Sequence, residues 1–280
     1  MNQHFFNIAS SKPHFVSEPP MNGMKYLGFE RIVLGCENSH TANSGDFEIF
    51  LVVLSGKCDV KVNDKNFSSI GERKSVFLGK PYAVYIPPKS DYSIKAISFT
   101  CELALTKAFV GVKSDIPAYL ITPSEVVTGK WGISNYSRTY HQIAVDDKHP
   151  AVKLMVGETF TPSGNWSTYP PHRHERHNPP EEVFLEEIYY YRVDHPKGWG
   201  MARHYSDDGT INFAEIIKDD TLHLIPKGYH TAVAAPGFTV YYLWFLAGEE
   251  RVQIPYVDPD MRFIDQATKM IKNIEDNLSL

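Results

Sequence analysis

The chain has 280 residues, of which 42% are hydrophobic and 22% charged, with a formal net charge of −5. This is the balance of a soluble globular protein with room for one large domain or two average ones. The negative charge argues against nucleic acid as a partner, and no run reaches the ~18 apolar residues of a membrane span.

The opening segment, MNQHFFNIASSKPHF, has no basic stretch ahead of a long apolar core, so a secretory signal is not expected there. Cys36, Cys58 and Cys101 are odd in number and widely spaced. They read as small apolar residues in a reducing cytoplasm rather than as a disulfide framework.

Residues 1–28 hold several Pro, Ser and Asn without a clear period and read as an irregular arm packed on the body. From residue 29 the chain reads as short strands. FEIFLVVLSG is rich in Val, Ile and Phe; KCDVKVND alternates and ends on an Asn63-Asp64 turn; YAVYIPP and YSIKAISFTCELAL follow. Such strands with turn signals between them predict a sandwich or barrel over 29–125. Residues 111–150 mix Pro, Gly and polar side chains and read as a crossover. A second strand-rich block, 126–258, contains AVKLMVGETF, VFLEEIYYYRV, GMARHYS, TLHLIPKG and FTVYYLWFLAG. Beyond it, Ile264, Ala267, Ile271, Ile274 and Leu278 recur at helical spacing, predicting an amphipathic helix over 259–280. Asp258 or Asp260 would cap it, with Pro259 in its first turn. The helix packs on its own domain or forms a dimer contact.

The two blocks read as weak repeats. IPKGYHT, from Ile225, aligns with IPPKSDY, from Ile86; EIYYY, from Glu187, aligns with EIFLV, from Glu48. In this alignment the first block keeps a carboxylate but puts Asp91 opposite His230, and it has only His40 ahead of them. The expectation is a duplicated β-barrel in which only the second copy holds metal.

Seven of the twelve histidines lie between residues 172 and 230. His172 and His174 are two apart behind Pro170 and Pro171, which exclude a helix interior. On a strand, both face the same way. With Glu187 and His230 they offer three imidazoles and a carboxylate, a set for a borderline divalent metal. His177 reads as a surface or substrate-facing loop residue, His195 as solvated in a turn, and His223 as a surface strand residue. Only one of Arg203 and His204 can point inward.

A His-x-His pair, a later Glu, and a Pro-x-Gly turn before a last His resemble the cupin pattern. The strings LEEIYYYR, GWGMARHYSDD, PKGYHTAVAAPGFTVYYL and, in the first half, GERKSVFLGKPYAVYIPP are similar to the 5-deoxy-glucuronate isomerase family of inositol breakdown. The resemblance implies an all-β bicupin: a degenerate, metal-free barrel at 29–125 and a metal-binding barrel at 126–258. It implies His172, His174, Glu187 and His230 as ligands of one divalent ion, with zinc or manganese ahead of iron, cobalt or nickel. The gap from His174 to Glu187 is longer than in ordinary cupins. Trp244 stands where the family has Asn, and the C-terminal helix is longer.

The implied activity is aldose–ketose isomerisation of 5-deoxy-glucuronate to 2-deoxy-5-keto-gluconate through an enediol. Glu182 or a hydroxide on the metal is expected as base, with Tyr189 as a proton relay. Arg203 is expected to hold the substrate carboxylate, with Tyr191 on the substrate face. The Pro179-Pro180 loop is expected to form a lid over the barrel mouth. A cupin dioxygenase using non-haem iron and a non-catalytic sugar-binding cupin are the alternatives. The expected partner is a small sugar acid, not nucleic acid or membrane, and exposed sheet edges favour a homo-oligomer.

Overall fold

The two longest β-branched and aromatic runs, FEIFLVVLS and LEEIYYYRV, each become the centre of a large sheet, as strands Phe47–Ser55 and Leu185–Val193. Both are buried almost throughout, so neither shows the alternation of a strand with one wet face. The computed structural model describes residues 2–8 and 12–278.

Around Phe47–Ser55 a six-stranded sheet runs Tyr119–Ile121, Ala83–Ile86, Phe47–Ser55, Thr100–Phe109, Leu27–Gly35, His14–Ser17. A four-stranded sheet, Ser39–Asn43, Asp91–Ala96, Cys58–Val62, Lys65–Ile70, faces it across a core that includes Leu51, Val60 and Ile94. The second half repeats this plan. Thr221–Ile225, Leu185–Val193, Val240–Gly248 and Met155–Thr161 follow the order of the first large sheet. Trp166–Arg173, Tyr229–Ala234, Gly200–Tyr205 and Asn212–Ile217 follow the order of the first small one. The molecule is therefore a duplicated β-barrel, all-β apart from one long helix, Arg262–Leu278, and two short 3-10 turns among the described residues. No helix among them is long and apolar enough to cross a membrane.

Three segments depart from the sequence expectation. The arm is not irregular throughout: Phe5–Asn7 pairs with Thr221–Ile225 of the second barrel, and His14–Ser17 pairs with Leu27–Gly35 of the first. The crossover is not a plain linker either. Val127–Trp131 and Arg138–Ala144 extend the second barrel's large sheet beyond Met155–Thr161. In the C-terminal helix, Ile264 and Ala267 are half-buried, whereas Ile271 and Ile274 are exposed. The side chain of Leu278 lies outside the described residues. Asp258 caps the turn that leads into the helix, accepting from the Asp260 amide at 3.0 Å.

The repeat alignment needs a one-residue correction. The Glu48 carboxylate accepts from the amides of Val152, Lys153 and Leu154 at 2.6–2.7 Å, across to the second barrel. The Glu186 carboxylate accepts from the amides of Lys25, Tyr26 and Leu27 at 2.6–3.1 Å, across to the first. Each ties down the residues leading into a long strand. The counterpart of Glu48 is thus Glu186, and Ile49 stands where the second barrel has Glu187. By the same shift Tyr92, not Asp91, takes the place of His230: Tyr92 and Ile49 belong to the apolar core, whereas Asp91 is exposed. A slip of one residue exchanges the two faces of a strand, so the first barrel keeps none of the carboxylate chemistry at that position.

Candidate metal centre

Strand parity assembles the centre. On Leu185–Val193, Glu187, Tyr189 and Tyr191 face the interior of the second barrel, while Ile188 and Tyr190 join the core between the barrels. On Tyr229–Ala234, His230 shares the inward face with Ala232 and Ala234. The strand Trp166–Arg173 is irregular between Ser167 and His172, with Thr168 at a left-handed φ of 51°. This bulge brings His172 opposite His230, and His174 follows just beyond the strand. Arg173, between the two, points away and ion-pairs with Asp207 and Glu182.

The outcome is a cluster in which one ring nitrogen each from His172, His174 and His230 lies within 4.8 Å of the others. The Oε2 of Glu187 is 3.0 Å from Nε2 of both His174 and His230. The Nδ1 of His174 donates to the Leu185 carbonyl at 2.5 Å, and that of His230 donates to the Gly228 carbonyl at 3.3 Å. With the proton on Nδ1, each Nε2 turns its lone pair into the site, as outer-shell bonds do for ligating histidines. The buried Nε2 of His230 has no hydrogen-bond partner. Two lone pairs and a carboxylate converging on one point are able to receive a cation, and the N3O donor set suits a divalent ion of borderline softness.

With His230 fully buried beside them, His172, His174 and Glu187 line a cavity of about 470 Å³, a size typical of small-molecule sites. Tyr189 and Tyr242 line it beside the cluster, their rings 4.5 Å apart. Burial and the Glu187 charge push the Tyr189 hydroxyl well above its ordinary range. Trp131 and Trp244 form an aromatic wall with ring centroids 6.2 Å apart. Gly157 makes room for it, because a Cβ there would overlap the Trp244 indole. Trp244 thus does face the cavity.

Other expected site residues do not. Arg203 points out of the barrel: its Nη1 donates to the carbonyls of His204 and Phe213, and its guanidinium lies over Tyr205. The inward place belongs to His204, fully buried. Its Nε2 donates to the Lys227 carbonyl at 2.7 Å, which leaves Nδ1 to accept from His223 Nε2 at 3.0 Å. His223, expected on the surface, is fully buried as well. Tyr191 lies deeper, against His223 and Tyr242, and does not line the cavity. Glu182 is spent on its own loop: its carboxylate accepts from the amides of Glu175 and Arg176 at 2.5 and 2.9 Å and faces Arg173. No residue of 175–184 lines the cavity, so the Pro179-Pro180 loop is not its lid. Cover comes instead from Gln253–Pro255, Val257 and the C-terminal helix.

The cations that do line the cavity are Arg138, Lys269 and Lys272. Arg138 was hidden in the crossover. It lies against Trp131, and its buried Nε has no partner.

Two barrels of one topology, with a histidine–carboxylate cluster inside one of them, define a bicupin. The chain spans 92% of its own length and 89% of an oxalate decarboxylase of Lactobacillus farciminis at a TM-score of 0.62, with 10% identity, a likeness of fold alone. The KduI/IolB family model matches residues 4–264, and the chain belongs to this family. It is 38% identical over 247 residues to the 5-deoxy-glucuronate isomerase of Geobacillus thermodenitrificans, covering 88% of this chain and 89% of that one. It is 34% identical over 242 residues to the enzyme of the same name from Bacillus subtilis strain 168, covering 86% and 88%. An IolB-like protein of Salmonella typhimurium LT2 superposes with a TM-score of 0.89 at 30% identity, covering 94% of this chain and all of that one.

Proposed function

We propose that this protein is a metal-dependent aldose–ketose isomerase that converts 5-deoxy-glucuronate to 2-deoxy-5-keto-gluconate in inositol breakdown. The observation that carries the reading is the convergence of His172, His174, His230 and Glu187 beside a cavity that is also lined by a half-buried, incompletely paired arginine, Arg138. These four side chains would hold the divalent ion, zinc or manganese first, which when bound supplies Lewis-acid stabilisation of the enediol's negative oxygen.

The protein's own groups divide the remaining work. Tyr189 keeps its proton at neutral pH and presents it at Oη beside Glu187, where it can serve a substrate oxygen. Arg138 offers charge-assisted hydrogen bonds to the carboxylate at the far end of the sugar. Trp131 and Trp244 exclude water and flank the ring-opened chain. Seen this way, the substrate has one end that reacts and one that anchors.

The test joins metal analysis to turnover. Purified protein should hold close to one divalent ion per chain. Incubated with 5-deoxy-glucuronate in deuterated water, it should form the ketose with deuterium incorporated from solvent, followed by NMR. His172→Ala should lose both ion and turnover. Full metal occupancy in that variant would remove His172 from the ligand set, and no product from the metal-loaded wild type would sink the isomerase reading.

A further inference from the structure

One wall of the cavity comes from neither barrel. Asp265, Thr268, Lys269 and Lys272 line it from the C-terminal helix Arg262–Leu278. The family match ends at residue 264, so this wall lies beyond the segment shared with the family model. The four positions fall at i, i+3, i+4 and i+7, one continuous face of a helix.

Burial of Ile264 and Ala267 accounts for only part of this helix. Phe263, Met270 and Ile274 are 66%, 61% and 51% exposed, while polar side chains are the ones turned to the cavity. Hydrogen bonding gives the helix its registration. The Thr268 hydroxyl donates to the Ile264 carbonyl at 2.7 Å, so the Tyr136 hydroxyl, 2.8 Å away, is the donor to Thr268. The carbonyl of that same Tyr136 accepts from Nη1 of Arg138 at 3.2 Å. A chain of contacts therefore runs from Arg138 through Tyr136 to the cavity face of the helix.

Two lysines lie on that face, and they differ. Lys269 is ion-paired to Asp265 at 2.7 Å and 74% exposed, so its charge is matched and turned to water. Lys272, one turn beyond Thr268, is half-buried at the cavity. We propose that the C-terminal helix is the acid-binding wall of the substrate cavity, with Lys272 a second cation that, together with Arg138, receives the substrate carboxylate and sets the preference for acidic sugars. This rests on the reading of the cavity as a uronate site. The chemistry is complementary: a carboxylate offers about four acceptor positions, and the Nη1 of Arg138 is already committed to Tyr136.

The experiment is a charge series at one position, with KM, kcat and metal content measured for wild type, Lys272→Arg, Lys272→Gln and Lys272→Glu on 5-deoxy-glucuronate. Lys272→Gln should raise KM about tenfold with kcat within about twofold, since a charge-assisted contact away from the reacting carbons binds ground and transition states alike. Lys272→Glu should raise KM further, Lys272→Arg should stay near wild type, and metal content should not change in any of them. A KM that ignores the charge at 272, or that rises equally in all three variants, overturns the assignment while leaving the isomerase standing. A wild type that does not turn over the uronate overturns the isomerase reading, and this inference with it.

Discussion

At the scale of single residues, the instructive case is the exchange between Arg203 and His204. Adjacent residues of a strand face opposite ways, so the inward place goes to whichever side chain can be satisfied there. His204 finds the Lys227 carbonyl and His223; a guanidinium would have needed a buried carboxylate. Arg203 is left outside over Tyr205, whereas Arg138 lines the cavity. Two substitutions separate these roles. Arg138→Gln should raise KM for the uronate by about tenfold or more, as expected for loss of a charge-assisted contact, whereas Arg203→Gln should leave KM within about twofold. Steady-state kinetics decides between them, and the reverse order would return Arg203 to the substrate site. Trp244 and Gly157 make a similar pair, in which the bulk of one is possible only because the other has no side chain.

At the scale of elements, the strands Gly200–Tyr205 and Thr221–Ile225 carry histidines into the barrel interior, and this gives stability a pH dependence. Burial drives the imidazole of His204 down to about 3 and that of His223 well below its ordinary range. Both are neutral in the folded protein, whereas unfolding lets them protonate below the ordinary histidine value of 6.5. The folded pKa lies below the unfolded one, so their contribution is complete above pH 6.5 and declines as pH falls toward 3. The unfolding free energy should drop by about 1.4 kcal/mol per pH unit across that window through His204, and His223 adds to the decline in the same direction. Urea midpoints at pH 7 and pH 5 measure it, with a His223→Gln variant showing a shallower decline. An identical slope in that variant would mean that His223 is not held neutral.

At the scale of the whole molecule, the two barrels are joined by an apolar core and by buried polar anchors that cross it. Phe29, Phe50 and Tyr85 of the first barrel pack in one cluster with Ile188, Tyr190 and Phe245 of the second. Within this contact Arg73 forms a two-bonded pair with Glu158 at 2.6 and 3.1 Å, and Tyr241 donates to the same carboxylate at 2.8 Å. Glu102 likewise accepts from Arg192 across the interface and from Arg31 within its own barrel. Removing one member strands the other, so Arg73→Ala should cost about 3–5 kcal/mol of unfolding free energy by leaving the Glu158 charge buried without its partner. Denaturant unfolding reads this out. A loss below about 1 kcal/mol, the range of a surface pair, would show that the barrels do not depend on this anchor.

Much of the site was legible in the linear chain. Proline behind a His-x-His pair, a Glu ahead of alternating tyrosines, and a Pro-x-Gly turn before a last His are local patterns, and strand parity alone aims each of them. The two-barrel plan was legible for the same reason, since β-branched runs and turn residues recur in both halves. What tertiary structure decided was the rest of the cavity lining around the histidine–carboxylate cluster. Arg138, Trp131, Thr268 and Lys272 come from a segment that reads as linker and from a helix several of whose apolar residues, Phe263, Met270 and Ile274 among them, point to water. Glu182 looked like a base only until its loop folded onto it. Local spacing determines which side chains share a face. Which faces then meet across a barrel is set by long-range pairing and packing, and no local pattern encodes it.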